Sequence, residues 1–318
     1  MSDAERVDSD LVDPDIRRFV TALQEGYGRF PDFDTLPLPE RRRAAELVRA
    51  PWRAGGPSMW RSRDLEIAGL RGRIHVPVQA PVLGAMLYLH GGGWTMFSID
   101  THDRLMREYA ARAGIIVVGI DYSLSPEHKF PVALEEVVQA VEWLRGQGTA
   151  HGIAGQRLAV GGDSVGANLA LSAALILRDR GDRALRAMLF NYGAFSPASS
   201  ASFDLYDGPR YMLTVAEMRY FWNSYIRQPA DLQNSLAAPF LADLHGLPPA
   251  LFTIAACDIL ADGNRAMAAR MASAGVPTEV HVYEGATHSF LEAVSIAPLA
   301  DRALDTAAHW LRGRLIEG

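Results

Sequence analysis

Short apolar runs alternate with helix-spaced stretches through most of this chain, and that alternation points to one architecture, a mostly parallel sheet joined by crossover helices. The strand candidates are residues 82–89, 115–120, 158–161, 187–190, 250–255 and 278–283, each closed by a loop rich in Gly, Asp, Ser or His. Between them Leu134, Val137, Val138, Val141 and Leu144 keep the spacing of one helical face, as do Leu304, Ala308 and Leu311 near the end. Ahead of the parallel part, residues 64–68 and 73–76 alternate polar and apolar side chains, which predicts an antiparallel hairpin at the sheet edge. In an open sheet of this class, chemistry collects beyond the carboxyl ends of the strands.

Two segments interrupt the alternation. Residues 1–60 read as helical and loop-rich, with prolines from Pro31 to Pro39 and the aromatics Tyr27, Phe30, Phe33, Trp52 and Trp60. A second stretch, at about 198–235, carries Phe203, Tyr206, Tyr211, Phe221, Trp222 and Tyr225, and insertions of this kind on an α/β scaffold cover the binding site. The expected division is therefore an N-terminal part of a cap over residues 1–60, then a catalytic domain over residues 61–318 whose insertion completes that cap. Anchoring surface helices to the core is the competing role for each of these rings.

Composition narrows the function. With 318 residues, 49% of them apolar, the chain can bury a large core. Its net charge of −6 is spread without a long block of either sign, so no nucleic-acid surface is expected. The single cysteine, Cys257, excludes an intramolecular disulfide and a cysteine-based zinc site, and no histidine spacing suits a metal, so neither metal nor cofactor is expected. The opening MSDAERVDSDLVDPD is acidic, unlike a secretion leader, and no apolar run reaches the ~20 residues that cross a bilayer. A cytoplasmic protein without stable membrane insertion is the expectation.

The sharpest chemical signal is Gly162-Asp163-Ser164-Val165-Gly166, which follows the apolar residues 158–160 and opens a helix-forming run. Strand, tight turn and helix meet at the serine, the arrangement of a nucleophile elbow, in which strain exposes Oγ and the flanking glycines make room. A second signal is His90-Gly91-Gly92-Gly93-Trp94, directly after a strand. Three glycines cost backbone entropy, and the use they point to is an oxyanion hole built from bare backbone N–H groups together with that of Val165, an ordinary flexible turn being the competing reading. A phosphate cradle would need G-x-x-x-x-G-K-[ST] or a helix-opening G-x-G-x-x-G, and this run is neither. Asp258 and His288 each follow a strand, giving the order Ser, acid, His. Asp262 is the competing acid, better suited to capping the helix that starts near Gly263. Of the other histidines, His90 suits bracing of the glycine loop, and His75, His102, His128, His151, His245, His281 and His309 read as surface or structural.

These residues, with Asp121-Tyr122-Ser123-Leu124-Ser125-Pro126-Glu127-His128, Phe130-Pro131, Asp258-x-Leu260-x-Asp262 and His288-x-Phe290, resemble the bacterial hormone-sensitive-lipase-like esterases, a branch of the α/β-hydrolases. The resemblance covers about residues 80 to 295. It implies an eight-stranded, mostly parallel sheet flanked by helices under a helical cap, and hydrolysis of esters with short to medium acyl chains. It also implies Ser164, Asp258 and His288 as a catalytic triad, and Gly92, Gly93 and Val165 as the oxyanion hole, with Gly91 a further candidate. Trp94, Phe97, Tyr192, Tyr211 and Trp222 are the candidates for the substrate pocket. The sequence departs from the common pattern at Val165, Ile259 and Ser289, which bears on substrate shape and leaves the catalytic side chains intact. The partner implied is a small-molecule ester, and an exposed sheet edge leaves room for a homodimer. The same machinery serves an amide, a lactone or a deacetylation, and a disabled hydrolase scaffold serves ligand binding without catalysis.

Overall fold

In a computed structural model that describes residues 11–317, the central sheet has eight strands in the order β1-β2-β4-β3-β5-β6-β7-β8. The strands are β1 (Arg61–Ile67), β2 (Leu70–Val76), β3 (Leu83–Leu89), β4 (Ile116–Ile120), β5 (Ile153–Asp163), β6 (Leu185–Asn191), β7 (Ala250–Cys257) and β8 (Thr278–Thr287). β1 and β2 form the expected antiparallel hairpin at one edge, β2 also runs antiparallel to β4, and the remaining pairs are parallel.

Period-2 alternation sends the side chains of each strand to opposite faces. In β3, Ala85, Leu87 and Leu89 join one core with Leu134 and Leu169, while Met86 and Tyr88 join the other with Leu105 and Leu304. The first core is closed by α4 (Val132–Gln147), α5 (Val165–Asp179) and α8 (Ala261–Ser273), the second by α3 (Asp103–Ala113) and α9 (Pro298–Leu315). Every residue of β7 is buried, as a strand covered on both faces requires.

The N-terminal segment forms α1 (Pro14–Tyr27) and α2 (Leu38–Arg53), and residues 1–10 of its expected span lie outside the described residues. Asp13 caps α1, its carboxylate accepting from the N–H groups of Asp15 and Ile16. The excursion between β6 and β7 runs over residues 192–249, longer than the 198–235 read from composition, because the flanking residues 192–195 and 237–239 are buried like core. It holds α6 (Ala201–Tyr206) and α7 (Val215–Tyr225). The two segments meet where Gln24 donates to the Pro209 carbonyl at 2.8 Å. α2 reaches the carboxyl end of the sheet through Arg42, which donates to the carbonyls of Thr95 and Ser125 and pairs with Glu127. No helix among the described residues is long and apolar enough to cross a membrane.

Candidate active site

Register positions the candidate side chains. Leu89 pairs with Gly162, so the glycine loop after β3 and the elbow after β5 emerge side by side. At the other end, Ala255 pairs with Tyr283 and Cys257 with Thr287, leaving one residue of β7 opposite three of β8. This bulge, which includes Gly285 at φ 79°, lets the next residues of both strands, Asp258 and His288, face each other.

Ser164 sits between β5 and α5 at φ 54° and ψ −118°, a strained conformation held by its N–H donating to Asn191 O and its carbonyl accepting from Ala194 N–H. A Cβ at Gly162 or Gly166 would lie 2.2 or 2.0 Å from the Leu89 carbonyl oxygen, so strand β3 enforces glycine on both sides of the serine. His288 Nε2 is 3.1 Å from Ser164 Oγ, and His288 Nδ1 is 2.7 Å from Asp258 Oδ2. An ionised carboxylate only accepts, so Nδ1 carries the proton and Nε2 is free to accept from the serine hydroxyl. Asp258 Oδ1 accepts from the N–H of Leu260, and all three side chains are buried.

The glycine loop is held from behind by Asp163, the residue before the serine. Its Oδ1 accepts from Tyr88 Oη–H at 2.9 Å and from the N–H of Gly91 at 3.1 Å, and its Oδ2 faces His102 Nε2 at 3.4 Å. Burial pushes the Asp163 carboxyl up, but His102 together with Tyr88 and His90 outweighs this and holds it below the usual carboxylate range. Burial likewise opposes the charged form of His102, and Asp163 reverses that, raising it. Gly91 is thereby removed from the oxyanion-hole candidates: its N–H is committed to Asp163, and a Cβ there would lie 2.3 Å from Asp163 Oδ2. Gly92 and Gly93 follow at φ 107° and 62°, and Val165 opens α5, where first-turn amides have no intrahelical acceptor. His90 stacks on Tyr122 and bonds the Gly91 carbonyl through Nδ1, and burial, then the charge of His102, depresses it to about 3.

The pocket candidates divide. Tyr192 is set edge-on to His288 at 5.0 Å, and Phe97 packs on Gly92, where a Cβ would lie 2.8 Å from its ring. Trp94 and Trp222 are buried and pack with Tyr225, Trp94 stacking on it at 4.1 Å, so they seat α7 on the loop after the glycines. Tyr211 is buried edge-on to Tyr206. Asp262 does not cap the helix as expected, because α8 starts two residues before Gly263, at Ala261, which puts Asp262 inside its first turn. It accepts instead from the N–H of Ser202 in α6. Of the histidines read as surface or structural, His75 and His102 are buried.

Three contributors had not been singled out from the sequence. Asp163 and His102 are far apart in the chain and belong to no shared local motif. Phe221 was noted only as one aromatic of the insertion, yet a Cβ on Gly93 would lie 2.2 Å from its ring. Its signal was position: it neighbours Trp222, which faces the core, while itself staying half-buried. A cleft of about 450 Å³ opens elsewhere, among Leu177, Arg183, Leu185, Leu247, Pro249 and Arg314, and includes none of Ser164, Asp258 and His288.

Comparison with known proteins fits this geometry. The family described as the alpha/beta hydrolase fold matches residues 86–292. A hyperthermophilic esterase from the archaeon Pyrobaculum calidifontis is 30% identical, with 95% of this chain and 98% of that chain covered and a TM-score of 0.88. A thermostable esterase from Pseudomonas putida ECU1011 is 29% identical over 96% and 98%, with a TM-score of 0.86. The Ser161Ala mutant of LAE6, an alpha/beta hydrolase from the metagenome of Lake Arreo, is 31% identical over 96% and 98%, with a TM-score of 0.90. The chain belongs to the α/β-hydrolase fold family.

Proposed function

We propose that this protein hydrolyses carboxylic esters of short to medium acyl chain length, with Ser164 as nucleophile, His288 as base and Asp258 as its orienting acid. The observation that carries the reading is the unbroken series from the Ser164 hydroxyl through the imidazole to the Asp258 carboxylate. The esterases among the solved relatives support an ester as the substrate.

His288 takes the Ser164 proton as Oγ attacks the ester carbonyl carbon, then returns it to the leaving alcohol. The resulting acyl-enzyme is hydrolysed by water activated in the same way, one hard step becoming two easier ones. Asp258 fixes the imidazole tautomer and stabilises its protonated form without itself taking the proton. Charge developing on the carbonyl oxygen is received by the N–H groups of Gly92, Gly93 and Val165, the last helped by the positive end of α5. α1, α2 and the excursion form the cap, and Phe97 and Phe221 wall the glycines against water.

Ser164→Ala is expected to lower turnover of p-nitrophenyl esters by at least about 10³, the scale of losing a triad nucleophile, while the circular dichroism spectrum stays unchanged. A folded variant that keeps parental turnover excludes Ser164. Parallel panels of acetyl-to-palmitoyl esters, an anilide and a lactone test the substrate class, with the shorter esters turned over fastest.

A further inference from the structure

Arg49 is a cation with almost no access to water. It lies on α2, is 3% exposed, and its Nη1 stands 2.5 Å from Glu292 Oε2, itself 7% exposed. Its guanidinium carbon lies 4.9 Å from the centre of the Phe97 ring. Burial alone would lower its basicity, but Glu292 and Tyr27 outweigh that and raise it, so the group stays charged.

The partners explain why the position matters. Glu292 belongs to the 3₁₀ turn Phe290–Ser295 that begins two residues after His288, and its N–H donates to the Ser289 carbonyl. Phe97 has φ 73°, in the left-handed region, and its ring packs on Gly92. One guanidinium thus touches the segment that follows the proposed base and the ring that supports a proposed oxyanion glycine. Buried ion pairs are poor stabilisers, since apolar residues of similar volume often serve as well. What an arginine adds is geometry: a planar face that stacks on an aromatic ring while its edge meets a carboxylate.

We propose that Arg49 is a positioning residue of the reaction, a buried clasp through which the seating of α2 sets the alignment of His288 with the glycine loop. This rests on the assignment of Ser164, His288 and Gly92 above. Arg49 touches no reacting atom and acts through Glu292 and Phe97.

The test compares the full-length parent with Arg49→Lys, Arg49→Met and the double variant Arg49→Met/Glu292→Leu. The readouts are kcat, KM, the rate of fluorophosphonate labelling and thermal unfolding. Arg49→Met strands a buried carboxylate and is expected to melt earlier. The double variant is expected to regain the parental melting temperature, yet to keep a kcat lower by about tenfold or more with KM within about twofold, because misalignment costs rate rather than affinity. Arg49→Lys keeps the charge and loses the planar stack, and the same loss of kcat is expected. A folded double variant with parental kcat overturns the proposal. If the double variant does not fold, Arg49→Lys with parental kcat overturns it. A parent that turns over esters without labelling at Ser164 would instead overturn the catalytic assignment.

Discussion

Ser164 at φ 54° holds a conformation that L residues avoid, and the neighbours that impose it are backbone atoms rather than flexible side chains. The three residues of the proposed triad were readable from the sequence because each follows a strand-like run and so carries its own local signal. The Asp163–His102 pair was not, since its two halves meet only through the fold. His90 yields a prediction about pH. It stays neutral in the folded chain down to about 3, whereas an unfolded chain takes up a proton near its ordinary value of 6.5. Between those values only the unfolded state binds that proton, so stability drops as the pH falls from about 6.5, by up to about 1.4 kcal/mol per unit. His90→Phe keeps a ring on Tyr122 and removes the titration. The unfolding free energy of the parent should therefore fall more steeply between about pH 6.5 and 4 than that of His90→Phe. Parallel curves from denaturant titrations would contradict this.

Six strand runs and the edge hairpin were legible because period-2 and all-apolar patterns report burial directly. Their ends were less so. β5 begins at Ile153 behind a register shift opposite Leu83–Ala85, and polar residues after it mask the strand pattern. β8 continues past Tyr283 through a bulge, and it is this irregular part that delivers His288. Asp262 shows the same limit from the helix side, since a two-residue shift in the start of α8 changes a capping residue into a tie to α6. α7 is held by a reciprocal capping box between Thr214 and Glu217. Thr214→Ala removes that box and should destabilise the protein by about 1 kcal/mol, a drop in melting temperature of about 2 °C. Because Phe221 and Trp222 lie on α7, the same variant should speed amide exchange in residues 215–225 more than in the sheet. Uniform exchange, or an unchanged melting temperature, would show that packing alone holds the helix.

The sheet order places the proposed nucleophile, acid and base just past the ends of β5, β7 and β8, with the glycine loop past the end of neighbouring β3, so four strand ends converge at one end of one sheet. That convergence follows from the fold class and was legible in outline. The closure above it was not: the composition showed two breaks in the alternation, but Gln24 meeting Pro209 and Arg49 meeting Glu292 are contacts between segments with no sequence pattern in common. The proposed function gives the whole arrangement one chemical consequence, a single serine made reactive beside donors for a developing oxyanion. Treatment with a fluorophosphonate, followed by peptide mass spectrometry, reads it directly. One phosphonyl group per chain is expected, on Ser164, appearing in step with the loss of esterase activity and absent from Ser164→Ala. Loss of activity with the group on another residue, or ester turnover in a chain that never labels, would contradict it.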